Sequence, residues 1–229
     1  MKVYAVKRGR NPGIYGTWQE CREQVHGYGG AVFKSFDTME AAREFMQDSP
    51  EQEPIKEGLP FAYIDGSFSK KGGCYGWGGF IFTGTQYHIL QGTGTKAEFI
   101  TERNIAGELI GVLDVMDECP KHDIHEINLY YDYTGIKNYI TGAWKAKTPL
   151  ANYYRDTLQL MATAYNLTIH FIGVKGHTGN EGNELADYLA KEAVGAKLRK
   201  KDIAALEEFR AKAQEGRQWA TDSQTTKQN

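Results

Sequence analysis

The chain has 229 residues, 41% hydrophobic and 12% aromatic, with 27 Lys/Arg against 29 Asp/Glu for a net charge of -2. That suits a full-sized domain plus a small one, argues against wholesale coating of nucleic acid, and leaves no apolar run near the roughly 20 residues of a membrane span. Cys21, Cys74 and Cys119 are widely spaced with no CxxC pair, and Met1 opens a polar stretch without a signal-peptide core, so a cytoplasmic monomer with reduced thiols and no membrane partner is expected.

In chain order, VYAVKRG reads as a strand, NPGIYG as a turn and TWQECREQVHG as a short helix capped by Thr17. AVFKSF follows as a second strand and TMEAAREFM as a second helix, capped by Asp37 or Thr38. Residues 1–47 thus form a small α/β module. Residues 1–36 carry six Lys/Arg against two Glu, an excess of +4. DSPEQEPIKEGLP (48–60), with three prolines and four acids, reads as a solvated linker.

Beyond it, FAYID (61–65), YGWGGFIF (75–82) and TQYHILQGTG (85–94) are strands joined by short turns, hence an antiparallel meander. Ile105, Leu109, Val112, Leu113 and Met116 recur at helical spacing over 102–118. EINLYYD (126–132) is a strand, followed by helices over 134–142 and 149–165, the latter with Pro149 in its first turn. TIHFIGV (168–174) is the last strand and EGNELADYLAKEAV (181–194) the helix after it. The order βββαβαβα predicts a mixed five-stranded sheet with helices on both faces. Residues 61–195 carry 11 basic and 15 acidic side chains, net -4, so a basic head precedes an acidic body. The 196–229 tail is charged; Ile203, Leu206 and Phe209 suggest one amphipathic helix before polar disorder.

Four acids stand out against this order. Asp65 closes the first strand of the body and Asp132 the fourth, Glu108 lies in the first turns of its helix, and Asp187 sits between Leu185 and Leu189. Ligands of open α/β sheets bind at the carboxyl ends of strands, and four carboxylates on one rim would repel without a cation, so a divalent-metal pocket is expected. Singly, each Asp would serve as well as a turn former.

FAYIDGSFS, RNIAGEL, INLYYDYTGI and GVKGHTGNEGNELADYLA, in this order, resemble the signature segments of type 1 ribonuclease H. YAVKRGRNPGIYGTWQECREQVHGYGGAVFKSF, within the 1–47 module, is similar to the hybrid-binding, viroplasmin-like domain at the N-terminus of many such enzymes and of a plant-virus inclusion-body protein. The resemblance implies a ribonuclease H-like fold over 61–195 and an endoribonuclease that cuts the RNA strand of RNA–DNA hybrids with two Mg²⁺ ions, Mn²⁺ substituting. Asp65, Glu108, Asp132 and Asp187 would hold the metal, Asp65 bridging, and His177 in KGHTGNEG would assist proton transfer or product release. Gly66, Ser67 and Asn104 would read ribose 2′-hydroxyls, and Trp144, Lys145, Lys147 and Thr148 would follow the DNA strand. In the module, Tyr4, Trp18, Phe33 and Lys34 would bind the hybrid, with double-stranded RNA a second partner. Trp18 and Phe33 would equally serve as the core of so small a domain. Ile105, Tyr133 and Ser35 depart from the family pattern. Asn183 and Glu184 lie near the site, though Asn183 would equally serve as the helix cap. The competing expectations are a non-catalytic hybrid- or duplex-RNA-binding protein on the same body, which the intact quartet opposes, and a DNA-cutting resolvase or transposase, which GHTGNEGNELAD opposes.

Overall fold

Alternation of apolar residues with glycine builds the larger sheet. The structure, a computed structural model, describes residues 2–28, 31–46, 55–176 and 179–214, and the chain divides into two units, Met1–Glu51 and Gln52–Asn229. Most of the expected linker (48–54), the polar end of the tail (215–229) and His177 lie outside the described residues.

In the smaller unit β1 (Val3–Arg8) is the middle strand, flanked antiparallel by β2 (Gly13–Tyr15) and β3 (Val32–Phe36). The expected turn NPGIYG thus contains a short strand, whose pairing of Tyr15 with Tyr4 no local periodicity announces. Between β2 and β3, α1 (Trp18–Val25) starts in a capping box in which Thr17 and Glu20 satisfy each other's backbone amides. Thr38 caps α2 (Met39–Met46) by accepting from Ala41 N at 3.2 Å. The two helices cover opposite faces of the strands. Val6 packs with Cys21 and Val25 of α1, while Phe36, one strand face away, meets Phe45 of α2 with ring centroids 5.3 Å apart.

The larger unit centres on a five-stranded sheet of order β6-β5-β4-β7-β8. β4 (Phe61–Ser69), β5 (Cys74–Phe82) and β6 (Tyr87–Gly94) form the antiparallel meander, and β7 (Glu126–Tyr131) and β8 (Thr168–Gly173) add in parallel beyond β4. β4 runs four residues beyond Asp65, so this aspartate does not close its strand. Pairing with β5 continues to Ser69↔Cys74, whereas the described parallel pairing with β7 stops at Tyr63↔Tyr130.

Side-chain alternation separates two helical layers. Trp77 Nε1 donates to Asp114 Oδ2 (2.6 Å) on α4 (Asn104–Glu118), while the next residue, Gly78, faces the backbone of α7 (Glu181–Ala193) at Leu189 and Ala190. On the α4 side lie α3 (Ala97–Ile100), the 3-10 turn Cys119–His122, α5 (Gly135–Ile140) and α6 (Pro149–Ala164), with Leu109, Val112 and Met116 fully buried. On the other side Tyr63 and Tyr130 stack at 4.4 Å under Leu185 and Leu189 of α7. There α8 (Lys200–Gln214) completes the core. Leu206 and Phe209 are buried, and the Phe209 ring centroid lies 4.8 Å from that of Phe80.

Candidate metal centre

The split between β4 and β7 makes the site. Counting on from the last parallel pair, Tyr63↔Tyr130, two residues along each chain are Asp65 and Asp132, so the two carboxylates stand on adjacent chains where the ladder has just ended. Asp65 pairs with Gly78 and therefore shares the face on which α7 packs. Glu108 comes from α4 on the other face. It reaches Asp65 because Gly66 has no side chain: a Cβ there would overlap Asn104 O and the Glu108 amide nitrogen.

One carboxylate oxygen from each of Asp65, Glu108 and Asp132 lies within 4.8 Å of the others. Asp65 is 7% and Glu108 3% exposed. Burial first, then the charge of Asp132, pushes the Asp65 carboxyl up to about 7. Glu108 is pushed well above the carboxylate range by burial and by Asp65, with which it shares a hydrogen bond. Gly66 N donates to Asp65 Oδ1 at 2.6 Å, but Glu108 Oε2 is buried with no hydrogen-bond partner among the described residues. A buried, mutually repelling group of hard oxygens with an unsatisfied acceptor calls for a divalent cation, and the residues present fit one.

Asp187 is not within that spacing, although its charge contributes to raising Asp65. Its carboxylate is held by Lys191 Nζ one turn along α7 (2.6 Å). Asn183, 3% exposed, donates Nδ2 to Asp132 Oδ2 at 3.3 Å. The cap of α7 is Asn180, whose side chain accepts from Asn183 N, so Asn183 is free of the capping task expected for it. The sequence put Asn183 near the site with capping as an equal alternative; its bond to Asp132 is what the fold adds. Gly176 sits against Asp132, and a Cβ there would come 2.5 Å from Asp132 Oδ2.

The remaining expected residues are spread around this centre. Ser67 is half-buried on β4, and Asn104 is exposed at the first position of α4. Arg103, immediately before it, adopts φ 55, a turn no propensity rule anticipates for arginine. Trp144 is buried, edge-on to Tyr133 and Tyr139. Tyr133 lies over Gly135, its hydroxyl held up by burial and by Tyr139. Lys145 and Lys147 are exposed, and Thr148 Oγ1 caps α6 by accepting from Ala151 N at 3.1 Å.

In the smaller unit Trp18 is 47% and Phe33 42% exposed, so neither is its core. Tyr4, Trp18 and Phe33 form a row with centroid spacings of 5.7 and 5.8 Å, and Lys34 follows Phe33 on β3.

The family model described as Ribonuclease H1 N-terminal domain matches residues 2–46, and the RNase H family model matches residues 60–195. A Ribonuclease H of Schizosaccharomyces pombe is 39% identical over 84 residues, 37% of this chain, and the chain spans 29% of that relative's length. Ribonuclease H1 of Homo sapiens is 26% identical across 85% of this chain and 89% of its own. The crystal structure of LC11-RNase H1 in complex with RNA/DNA hybrid superposes with a TM-score of 0.50 over 59% of this chain and 96% of that one, at 17% identity, which shows the shared fold. Since the RNase H model alone spans more than half of the 229 residues, the chain belongs to the ribonuclease H family.

Proposed function

We propose that the protein is a metal-dependent endoribonuclease that hydrolyses the RNA strand of RNA–DNA hybrids. The carrying observation is the convergence of Asp65, Glu108 and Asp132 from β4, α4 and the end of β7, with an oxygen of each within 4.8 Å of the others. Asp65, Glu108 and Asp132 would hold divalent metal, two ions with Mg²⁺ preferred and Mn²⁺ a substitute, which would supply activation of a water and stabilisation of the leaving oxygen. Water adds to phosphorus and the P–O3′ bond breaks, leaving a 5′-phosphate and a 3′-hydroxyl.

The chain's own groups divide the remaining work. Asp65, hydrogen-bonded to Glu108 and raised by the charges of Asp132 and Asp187, would serve as a ligand. Asn183 fixes the Asp132 rotamer, and Asp187, steadied by Lys191, adds a fourth carboxylate at the rim. Gly176, which precedes His177 in the sequence, rests on Asp132, and this supports His177 as the candidate for moving a proton at the leaving group. Gly66, Ser67 and the exposed Asn104 are the candidate readers of 2′-hydroxyls, the atoms that distinguish RNA from DNA. Lys145 and Lys147 offer phosphate contacts for the DNA strand, with buried Trp144 supporting their loop. The open row of Tyr4, Trp18 and Phe33, with Lys34, suits stacking on sugars and holding phosphates. This supports hybrid binding by the module, with double-stranded RNA its second ligand.

The test is a labelled RNA–DNA hybrid incubated with the purified chain and Mg²⁺. Cleavage of the RNA strand is expected, with single-stranded RNA intact and Asp132→Asn reduced to background. Undiminished cutting by Asp132→Asn would refute the assignment of the site.

A further inference from the structure

A second group of metal-ligating side chains lies at the far end of α4. His88 comes from β6, an outer strand of the sheet, and Glu118 and His122 from the last turn of α4 and the 3-10 turn after it. One ligand atom from each lies within 4.8 Å of the others. Glu118 and His122 are four residues apart, which puts both on one face, and His122 Nε2 lies 3.0 Å from Glu118 Oε1. The rings of His88 and His122 are 3.9 Å apart at their centroids. The group is half-sheltered, with side chains of His122 and Glu118 24% and 22% exposed. Ten residues of helix separate Glu118 from Glu108, about 15 Å, so this cluster is distinct from the carboxylate centre.

We propose that His88, Glu118 and His122 form a binding site for Zn²⁺ or a similar borderline divalent ion, fastening the C-terminal end of α4 to β6. Two imidazoles and one carboxylate are the donor set of such ions, and a hard ion such as Mg²⁺ has no preference for imidazole nitrogen. Three protein ligands leave a tetrahedral position for water. Lys121 Nζ is bonded to Glu118 Oε2 (3.0 Å) and leaves Oε1 toward the histidines. Cys119 is no competitor within the cluster. Its thiol donates to Val115 O.

The test uses the full chain, stripped with chelator and then held in excess Mg²⁺ so that the carboxylate centre does not take the added ion. Zn²⁺ is titrated by calorimetry and thermal melting, and Co²⁺ by its ligand-field absorption, in wild type, His88→Gln, His122→Gln and Asp132→Asn. Wild type and Asp132→Asn are expected to bind one Zn²⁺ and to gain about 5–10 °C in Tm at a hundredfold excess over Kd. Each histidine variant is expected to lose about tenfold or more in affinity, together with the Tm gain and the Co²⁺ bands, while its metal-free Tm stays at the wild-type value. Equal Zn²⁺ affinity and Tm gain in wild type and both histidine variants would overturn the proposal and place the ion on the thiols or the carboxylates. So would absence of a Tm gain in wild type. Should a histidine variant melt early without metal, Glu118→Gln, which keeps both rings, provides the same comparison.

Discussion

Burial makes the carboxylates of the site costly to ionise without a cation. The ordinary value for Asp65 is 3.8 and its folded value about 7, so the folded, metal-free protein holds this proton more tightly than the unfolded chain does. The resulting stability is fully present below the unfolded value and is lost as pH rises through about 7. Asp65→Asn cannot ionise and escapes that loss. In chelator its Tm should match wild type near pH 4 and exceed it increasingly toward pH 8, by a stability difference of up to about 4 kcal/mol. A Tm gap independent of pH would show that Asp65 is not the strained group. Asn183 is the complementary case, since it touches Asp132 from outside the trio. Removing such an outer partner weakens metal affinity by about 10–100-fold. Asn183→Ala should therefore need correspondingly more Mg²⁺ for half-maximal hybrid cleavage and recover most of its rate when saturated. A rate loss that Mg²⁺ does not restore would argue against this role.

At the scale of elements, the site depends on how closely α4 lies against β4. Gly66 permits that approach, and a methyl group there would overlap backbone atoms, which yield less readily than the end of a side chain. Gly66→Ala should lower stability by about 1–3 kcal/mol and, by pushing Glu108 outward, weaken Mg²⁺ binding as well. Unchanged melting and metal affinity would mean that α4 shifts freely. The same packing explains which parts of the fold were legible beforehand. α4 announced itself because Leu109, Val112 and Met116 recur on one face and are buried together. The meander was legible because its strands are adjacent in sequence, and Thr17 with Glu20 marked the start of α1. What depends on partners distant in sequence was not legible. Asp65 looked like a strand end because the apolar run stops there, yet pairing with β5 carries β4 on to Ser69. Asn180 and Asn183 both have the chemistry of a cap, and only the fold shows that Asn183 is drawn toward Asp132. Asp187 was expected among the site acids, but its ion pair with Lys191 was not legible.

On the scale of the whole molecule, each unit has its own core and its own electrostatic character. The larger unit closes its core with a helix from the tail: Phe209 packs between Phe80 and Tyr87, and Arg210 pairs with Glu192 of α7. The smaller unit buries Ala5, Val6, Cys21, Phe36 and Ala42 and leaves Trp18 and Phe33 substantially open. In a domain with so little apolar surface to spare, exposing two large aromatics beside Tyr4 gives up burial that would otherwise stabilise it, by about 1.5–3 kcal/mol for each side chain fully buried. The proposed binding of the hybrid would account for that exposure. A tethered module that grips the hybrid raises the local substrate concentration for the other unit without touching the reacting phosphate. Its contribution should therefore fall on KM rather than kcat. Stacking on one base or sugar is worth about 1–3 kcal/mol, so Trp18→Ala should raise KM for a hybrid by roughly tenfold with kcat and Tm little changed. Deleting residues 1–47 should add the loss of Lys and Arg contacts, flattening the dependence of log KM on log salt by about 0.9 for each phosphate contact removed. If Trp18→Ala lowered Tm and left KM alone, the exposed row would be a structural element of the module and not its hold on nucleic acid.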